Sequence, residues 1–350
     1  MTIGESTRGK SPIRRWGRNA IRLLAVPVFL WAAGAIWFDL PGPPVGRKIA
    51  AISFLLGTGF LWFSKSHKRR AAALGILGAT TGWWFTQMPR DDRVWPPDAA
   101  KTAFAEVDGD TVTLHNVRNF DYRSATDYTP RWETRVVDLS KLTGIDLVMA
   151  YWGSPYMAHP IISFQFSDSP PVCFSIESRK EKGESLSAIA SLYRQYELIY
   201  IVGDEKDVIR VRTNCCEGED VYLYRLNGTP EKARERFRDY VAALNELHEE
   251  PRWYNALTTN CTTSIRTQHA AKTRALWDWR MLVNGKADEM LYERGMLLTG
   301  GLDFAALKAS ALINPAARVA HDAPDFSARI REGRPGLQTT AHDAANFSLR

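Results

Sequence analysis

Three apolar runs in the first part of the sequence constrain this chain more than any other feature. Ile21 to Phe38 (IRLLAVPVFLWAAGAIWF), Ile49 to Phe63 (IAAISFLLGTGFLWF) and Ala71 to Met88 (AAALGILGATTGWWFTQM) carry no charge apart from Arg22 at the first boundary. Each is near the length that crosses roughly 30 Å of hydrocarbon. The middle run is short, and Gly46, Lys48 and Ser64 complete its span at the interfaces. Trp31, Trp37, Trp62, Trp83 and Trp84 lie mostly toward the ends of the runs, as in an interfacial aromatic belt. A cleaved signal peptide fits poorly, because two further apolar runs follow the first and no small-residue cleavage site stands out. Buried helices of a soluble protein fit poorly too, since only short loops join the runs.

Charge sets the expected orientation. Up to Arg93 there are fourteen Lys and Arg against four Asp and Glu, so the basic surplus of the whole chain, +6, belongs to this segment. Arg8, Lys10, Arg14, Arg15, Arg18 and Arg22 precede the first run, and Lys65, Lys68, Arg69 and Arg70 separate the second from the third. Positive residues stay on the cytoplasmic side, so both clusters are expected there and the Pro-rich turn Asp39 to Val45 outside. The resulting division is a basic cytoplasmic N-terminus over 1–20, three transmembrane helices over 21–88, a linker over 89–104, an exported domain over 105–337 and a loose tail over 338–350. Such a chain is expected in a bacterial inner membrane. Its exported part is slightly acidic and lacks basic runs interleaved with aromatics, which argues against a nucleic-acid partner.

From Ala105 the pattern becomes one of short strands: Asp110 to Val117, Trp132 to Leu139, Asp146 to Tyr151, Ile161 to Phe166, Val172 to Glu177, Glu197 to Val202, Asp207 to Arg212 and Val221 to Leu226. Helices are expected over Ser185 to Gln195, Thr229 to Glu249, Asp303 to Ile313 and Phe326 to Glu332. The clearest is the second, with Thr229 as N-cap and Pro230 at the first helical position. A further helix is expected to begin at Asn260 or Cys261, after the Asn- and Thr-rich stretch YNALTTNCTT. The exported domain therefore reads as α+β with an antiparallel sheet.

Four cysteines are present: Cys173, the adjacent Cys215 and Cys216, and Cys261. An exported domain favours disulfides, and one bridge between Cys173 and the vicinal pair fits the pattern. Neither CxxC spacing nor HExxH occurs, so no structural zinc site and no cofactor is expected. Cys261 is set apart by its position at a helix start, where the dipole and free N–H groups favour thiolate and an oxyanion. His67 falls in the cytoplasmic loop, His248, His269, His321 and His342 on helix surfaces or in the tail, and His115 within a strand. His159 precedes a strand after the small-residue run GSPYMA, where its imidazole can be presented at the sheet end as a base. Glu177, two residues past Ser175 on the adjoining strand, is placed to orient His159 as a third member. Taken singly, these residues read equally as a buried thiol, a satisfied histidine and a surface carboxylate.

The segments VTLHNVRNFDYR (Val112 to Arg123), YTPRWETR (Tyr128 to Arg135), MAHPIISFQF (Met157 to Phe166), FSIESRKEKGE (Phe174 to Glu184), YRQYELIYIVGDEKDVIRVR (Tyr193 to Arg212) and YNALTTNCTT (Tyr254 to Thr263) together resemble the Lnb N-terminal periplasmic domain family. The resemblance implies a circularly permuted papain-like fold in which the histidine strand comes before the cysteine helix. It matches Cys261 to the nucleophile and His159 to the base; Glu177 as orienting residue comes from the spacing. The family's namesake is a bacterial lipoprotein N-acyltransferase working through a thioester on cysteine. There, however, the periplasmic domain precedes the membrane helices. The expected function is thus a membrane-anchored periplasmic thiol acyltransferase or hydrolase acting on lipoprotein, phospholipid or other lipid-linked substrates. The competing readings are a cysteine amidase or peptidase of the cell envelope and a non-catalytic envelope module. For that last reading the many arginines, Arg118, Arg123, Arg131, Arg135, Arg179, Arg210 and Arg212, would bind anionic headgroups. Their simpler role is to pair with Asp121, Glu133, Glu177 and Asp204.

Overall fold

The structure is a computed structural model that describes residues 22–268 and 277–337. The basic residues before Arg22, the histidines at 269 and 342 and the tail expected over 338–350 lie outside the described residues. The chain divides into two compact units, one of residues 1–89 with Leu186–Gln195 and one of the remainder.

The first unit is built on three helices, Val26–Asp39, Pro44–Trp62 and His67–Phe85. Proline near the start of the second uses a position whose N–H has no intrahelical acceptor. Among the described residues, Arg22–Asp39 and Pro44–Trp62 are long and apolar enough to cross a membrane. The third helix has the length, but His67, Lys68, Arg69 and Arg70 occupy its first turn. Leu186–Gln195 joins this unit through side chains. Tyr193 stacks on Phe38 with ring centroids 5.0 Å apart, and Arg194 lies 4.1 Å from the Trp84 ring. A Cβ at position 34 would overlap the Tyr193 hydroxyl, so only Gly34 admits it. Trp84 and Gln195 both donate to the Asp39 carboxylate. These contacts explain why the helix expected over Ser185 to Gln195 shrinks to one 3-10 turn, Ala190–Leu192. Tyr193, Arg194 and Gln195, which a helix would have spread around its surface, all turn to one set of partners.

The second unit is a mixed α/β domain. Its strands are β1 Phe104–Asp108, β2 Thr111–Arg118, β3 Asp121–Tyr122, β4 Tyr128–Thr129, β5 Trp132–Asp138, β6 Leu142–Trp152, β7 Ala158–Phe166, β8 Val172–Arg179, β9 Glu197–Gly203 and β10 Glu219–Arg225. Eight of them form one sheet in the order β1-β2-β9-β8-β7-β6-β10, with β5 also on β2, and all pairs are antiparallel except a single β2–β9 bridge at Arg118 and Gly203. Both faces are covered, which is why the central strands read as nearly continuous apolar runs. Ile145, Leu147 and Met149 of β6, Ile162 and Phe164 of β7, and Phe174 and Ile176 of β8 face Phe237, Tyr240, Val241 and Leu244 of the helix Pro230–Glu249. Val148, Ile161, Cys173, Ile199 and Ile201 face the other way, against Val208, Ile313, Ala317, Phe326 and Ile330. The Thr229 side chain accepts from Lys232 N–H and caps the long helix as its sequence suggests.

One expected strand is not a strand. Asp207 to Arg212 falls in a helical turn, Glu205–Val208, followed by a π-helix, Val211–Cys215. Asp204 caps the turn through Lys206 N–H, and the fully buried Asp207 accepts from Arg118 and from Phe120 N–H at 2.7 Å. A short run of Val and Ile fits either element, and here the buried carboxylate decides between them. On the same side, Arg331 joins Asp146 and Glu205, both wholly buried, and Arg225 adds a second cation to Asp146. The four cysteines are free, so the bridge between Cys173 and the vicinal pair is not formed; Cys173 is sealed within the sheet.

Candidate functional site

Cys261 opens the seven-residue helix Cys261–Thr267. Asn260 is its N-cap: the Asn260 side chain accepts from Thr263 N–H, and the Thr263 hydroxyl accepts from Asn260 N–H, each at 2.8 Å. This capping box fixes where the helix starts, and hence where the sulfur points. The helix packs against β7 and β8. Cys261 is 4% exposed, and its sulfur accepts a hydrogen bond from the Asn284 side-chain amide at 3.1 Å.

His159 and Glu177 lie together at the same end of β7 and β8. The imidazole Nε2 is 2.7 Å from Ser175 Oγ, the Ser175 hydroxyl donates to Glu177 at 2.7 Å, and Nε2 stands 3.7 Å from the same carboxylate oxygen. Because Ser175 spends its proton on Glu177, its oxygen is left to accept from Nε2–H, which leaves Nδ1 as the basic nitrogen. Arg212 approaches Glu177 at 3.4 Å and also pairs with Glu219.

Strand alternation sends His159, Ser175 and Glu177 to the side of Ile161 and Cys173, whereas Cys261 belongs to the apolar cluster of the opposite side. The pairing of β7 with β8 runs only from Ile161 and Ser175 to Phe164 and Val172. Beyond Ile161 the β7–β8 ladder lapses, and His159 and Glu177 no longer pair across it, although His159 stays paired with Ala150 of β6 and Glu177 with Ile199 of β9. Beside the cysteine helix lies an apolar cavity of about 340 Å³, with Met149, Pro160, Ile162, Tyr240, Thr262 and Ile265 in its wall.

The electrostatics differ from the sequence expectation at Cys261. Burial pushes the thiol up to about 11, aided by the Glu177 charge and opposed by hydrogen bonds from Thr262 and the local backbone. A helix of two turns cannot offset desolvation of this size, so the resting group is a thiol and not a thiolate. Burial and the nearby Arg212 bring His159 down to about 4, against the pull of Glu177. Glu177 loses solvation too, but Arg212, His159 and Arg118 together with the Ser175 hydrogen bond hold it ionised, down to about 2. A neutral thiol, a neutral imidazole with a fixed tautomer and an ionised carboxylate suit proton transfer during a reaction better than a standing ion pair.

The arginines mostly take the simpler of their two expected roles. Arg135 pairs with Glu133 and Asp204, Arg210 with Asp121 and Arg212 with Glu177, while Arg118, Arg123 and Arg179 find Asp207, Asp127 and Asp91. Among the described residues no cluster of His, Cys, Asp and Glu is arranged to hold a metal ion. Sequence reasoning passed over Asn284, which comes from a 3-10 turn, Asn284–Lys286, more than twenty residues past the cysteine. Its one local signal is the Asn-Gly pair that marks a turn.

Fold and site together define a mixed α/β domain, mainly antiparallel, that carries a buried cysteine and a histidine–serine–glutamate chain near one end of its sheet. Residues 128–285 match the family model of the Lnb N-terminal periplasmic domain. The match contains His159, Glu177, Cys261 and Asn284. The description of that family as periplasmic and the apolar helices Arg22–Asp39 and Pro44–Trp62 are consistent with an envelope-associated protein anchored in a membrane. No curated protein and no solved structure matches the chain.

Proposed function

We propose that this protein is a cysteine-dependent acyl-transfer enzyme of the bacterial envelope, anchored in the inner membrane by three helices with its N-terminus in the cytoplasm and its papain-like, circularly permuted domain in the periplasm. The observation that carries the reading is the Glu177–Ser175–His159 hydrogen-bond chain, which fixes the imidazole tautomer on a strand against which the Cys261 helix packs. Cys261 is the nucleophile, His159 the base, and Glu177 a positioning residue acting through Ser175. In the first half-reaction His159 takes the thiol proton as the sulfur bonds to the acyl carbon. The imidazolium then protonates the leaving group as its bond to that carbon breaks. In the second half an amine, or water, gives its proton to His159 and takes the acyl group, and the thiol is restored. The apolar wall of the neighbouring cavity suits a lipid or lipoprotein acyl donor. A cysteine amidase or peptidase of the envelope would use the same residues on a peptide.

One observation favours a non-catalytic binding module instead: strand alternation sends His159 to the side of the sheet opposite the cluster that holds Cys261. Trapping decides between the two. The full chain is expressed in cells fed an alkyne-tagged fatty acid, and the Cys261 peptide is followed by mass spectrometry with and without hydroxylamine. A hydroxylamine-labile adduct on Cys261, absent in Cys261→Ser and reduced at least about a hundredfold in His159→Ala, is the expected result. Full biological activity in Cys261→Ser would assign the domain to binding.

A further inference from the structure

We propose that the side-chain amide of Asn284 is a catalytic group of this site, holding the Cys261 sulfur in the resting protein and passing to the substrate's carbonyl oxygen once the sulfur attacks. The first role stands on geometry alone, while the second rests on the acyl-transfer reading. Nδ2–H donates to the sulfur at 3.1 Å, and the orientation of the amide is set by its other end, where Oδ1 accepts from the Thr262 hydroxyl at 2.8 Å. Asn284 is thereby tied to two consecutive residues of the cysteine helix.

Its backbone is held with equal care. Gly285 N–H donates to the Tyr156 carbonyl at 3.1 Å, and the Gly285 carbonyl accepts from the Tyr151 hydroxyl at 3.0 Å. A Cβ at Gly285 would stand 2.5 Å from the Pro155 carbonyl oxygen, so only glycine lets the turn dock this closely. The segment it docks on, Pro155 to Met157, leads directly into the His159 strand. One rigid turn therefore references the amide to the nucleophile and to the strand that carries the base.

The chemistry calls for a donor at that place. As the S–C bond forms, the proton leaves the sulfur for His159 and the carbonyl oxygen takes up the negative charge. The sulfur, now covalently bonded, no longer needs a donor, whereas the oxygen one bond away from the acyl carbon does. An amide N–H that follows the charge from one atom to the other favours the tetrahedral adduct over the thiol. Thr262, which orients the amide, is also part of the cavity wall from which an acyl group would approach.

Two readouts test this on the full chain in detergent. The rate of iodoacetamide alkylation at the Cys261 peptide, measured at fixed pH values from about 7 to 9, well below the range where the thiol titrates, follows the thiolate fraction and reports the hold on the sulfur without any acyl chemistry. Asn284→Ala is expected to lower that rate about tenfold, and Asn284→Asp, which keeps the shape but sets a carboxylate against the sulfur, to lower it further. A rate that stays or rises in both variants overturns the hold, a rise being the sign of an amide oxygen accepting from the thiol. The second readout is the burst of nitrophenol released from p-nitrophenyl butyrate. Its rate is expected to drop about a hundredfold in Asn284→Ala. A drop of less than about threefold would remove the oxyanion role. Absence of any burst in the unaltered chain would overturn the acyl-transfer reading, and the oxyanion role with it, whatever alkylation shows.

Discussion

His159 and Glu177 share one buried pocket of charge and respond to pH in overlapping ranges. His159 has its folded value near 4, well below the ordinary 6.5, because burial and Arg212 disfavour the imidazolium. The unfolded chain therefore binds a proton there that the folded chain refuses. The contribution to stability is intact above pH 6.5 and is lost as pH falls toward 4, by an amount on the order of 2 to 3 kcal/mol. Glu177 extends the loss below this window. Its folded value near 2 against the ordinary 4.5 means that stability present above pH 4.5 declines as pH drops further. Thermal unfolding of the full chain in detergent is expected to show a melting temperature that decreases between pH 7 and pH 4.5. His159→Gln, which keeps a hydrogen-bonding group opposite Ser175 but cannot take the proton, should flatten most of that decrease. An equal slope in both proteins would mean that other groups carry it.

At the scale of elements, the site depends on where a ladder stops and where a turn docks. β7 and β8 lose their pairing beyond Ile161 and Ser175, and the 3-10 turn at Asn284–Lys286 sits against the segment that enters β7. Gly285→Ala places a methyl group against backbone atoms of Pro155 and Tyr156, which have no side-chain freedom with which to retreat. Overpacking of this kind costs about 1 to 3 kcal/mol, so Gly285→Ala is expected to lower the melting temperature and also to weaken the Cys261 hold by moving Asn284. A variant that melts and alkylates like the parent would show that the turn has room to shift. The strands themselves were largely legible in the sequence, since the outer ones alternate and the central ones are short apolar runs, and so were the Thr229 cap and the Asn260–Cys261 helix start. The segment Asp204 to Cys215 was not, because its conformation follows from the ion pair between Asp207 and Arg118, far apart in sequence. Asn284 was hidden for the same reason, and the raised value of Cys261 follows from burial, which no local pattern reports.

For the whole molecule, the side on which the domain lies is a matter of parity. Two of the three N-terminal helices are long and apolar enough to cross a membrane, and the third, His67–Phe85, opens on His67, Lys68, Arg69 and Arg70. With two crossings the domain would return to the side of the N-terminus; with three it would lie opposite. The proposed arrangement, with the stretch that matches a periplasmic family outside and the basic N-terminus inside, needs the odd number. The four opening residues do not forbid a third span. They are the kind of residues that sit at a cytoplasmic interface, and the stretch beyond them, Ala71 to Phe85, is uncharged and ends on Trp83 and Trp84. Fusing alkaline phosphatase, which is active only outside the cytoplasm, after Lys65 and after Lys101 of separate truncations distinguishes the cases. Activity after Lys101 and none after Lys65 is expected. Replacing Lys68, Arg69 and Arg70 by neutral residues should then reduce the Lys101 signal, because these cations hold the loop inside while the third helix crosses. Activity after Lys65 but not after Lys101 would invert the arrangement and place the Cys261 domain in the cytoplasm.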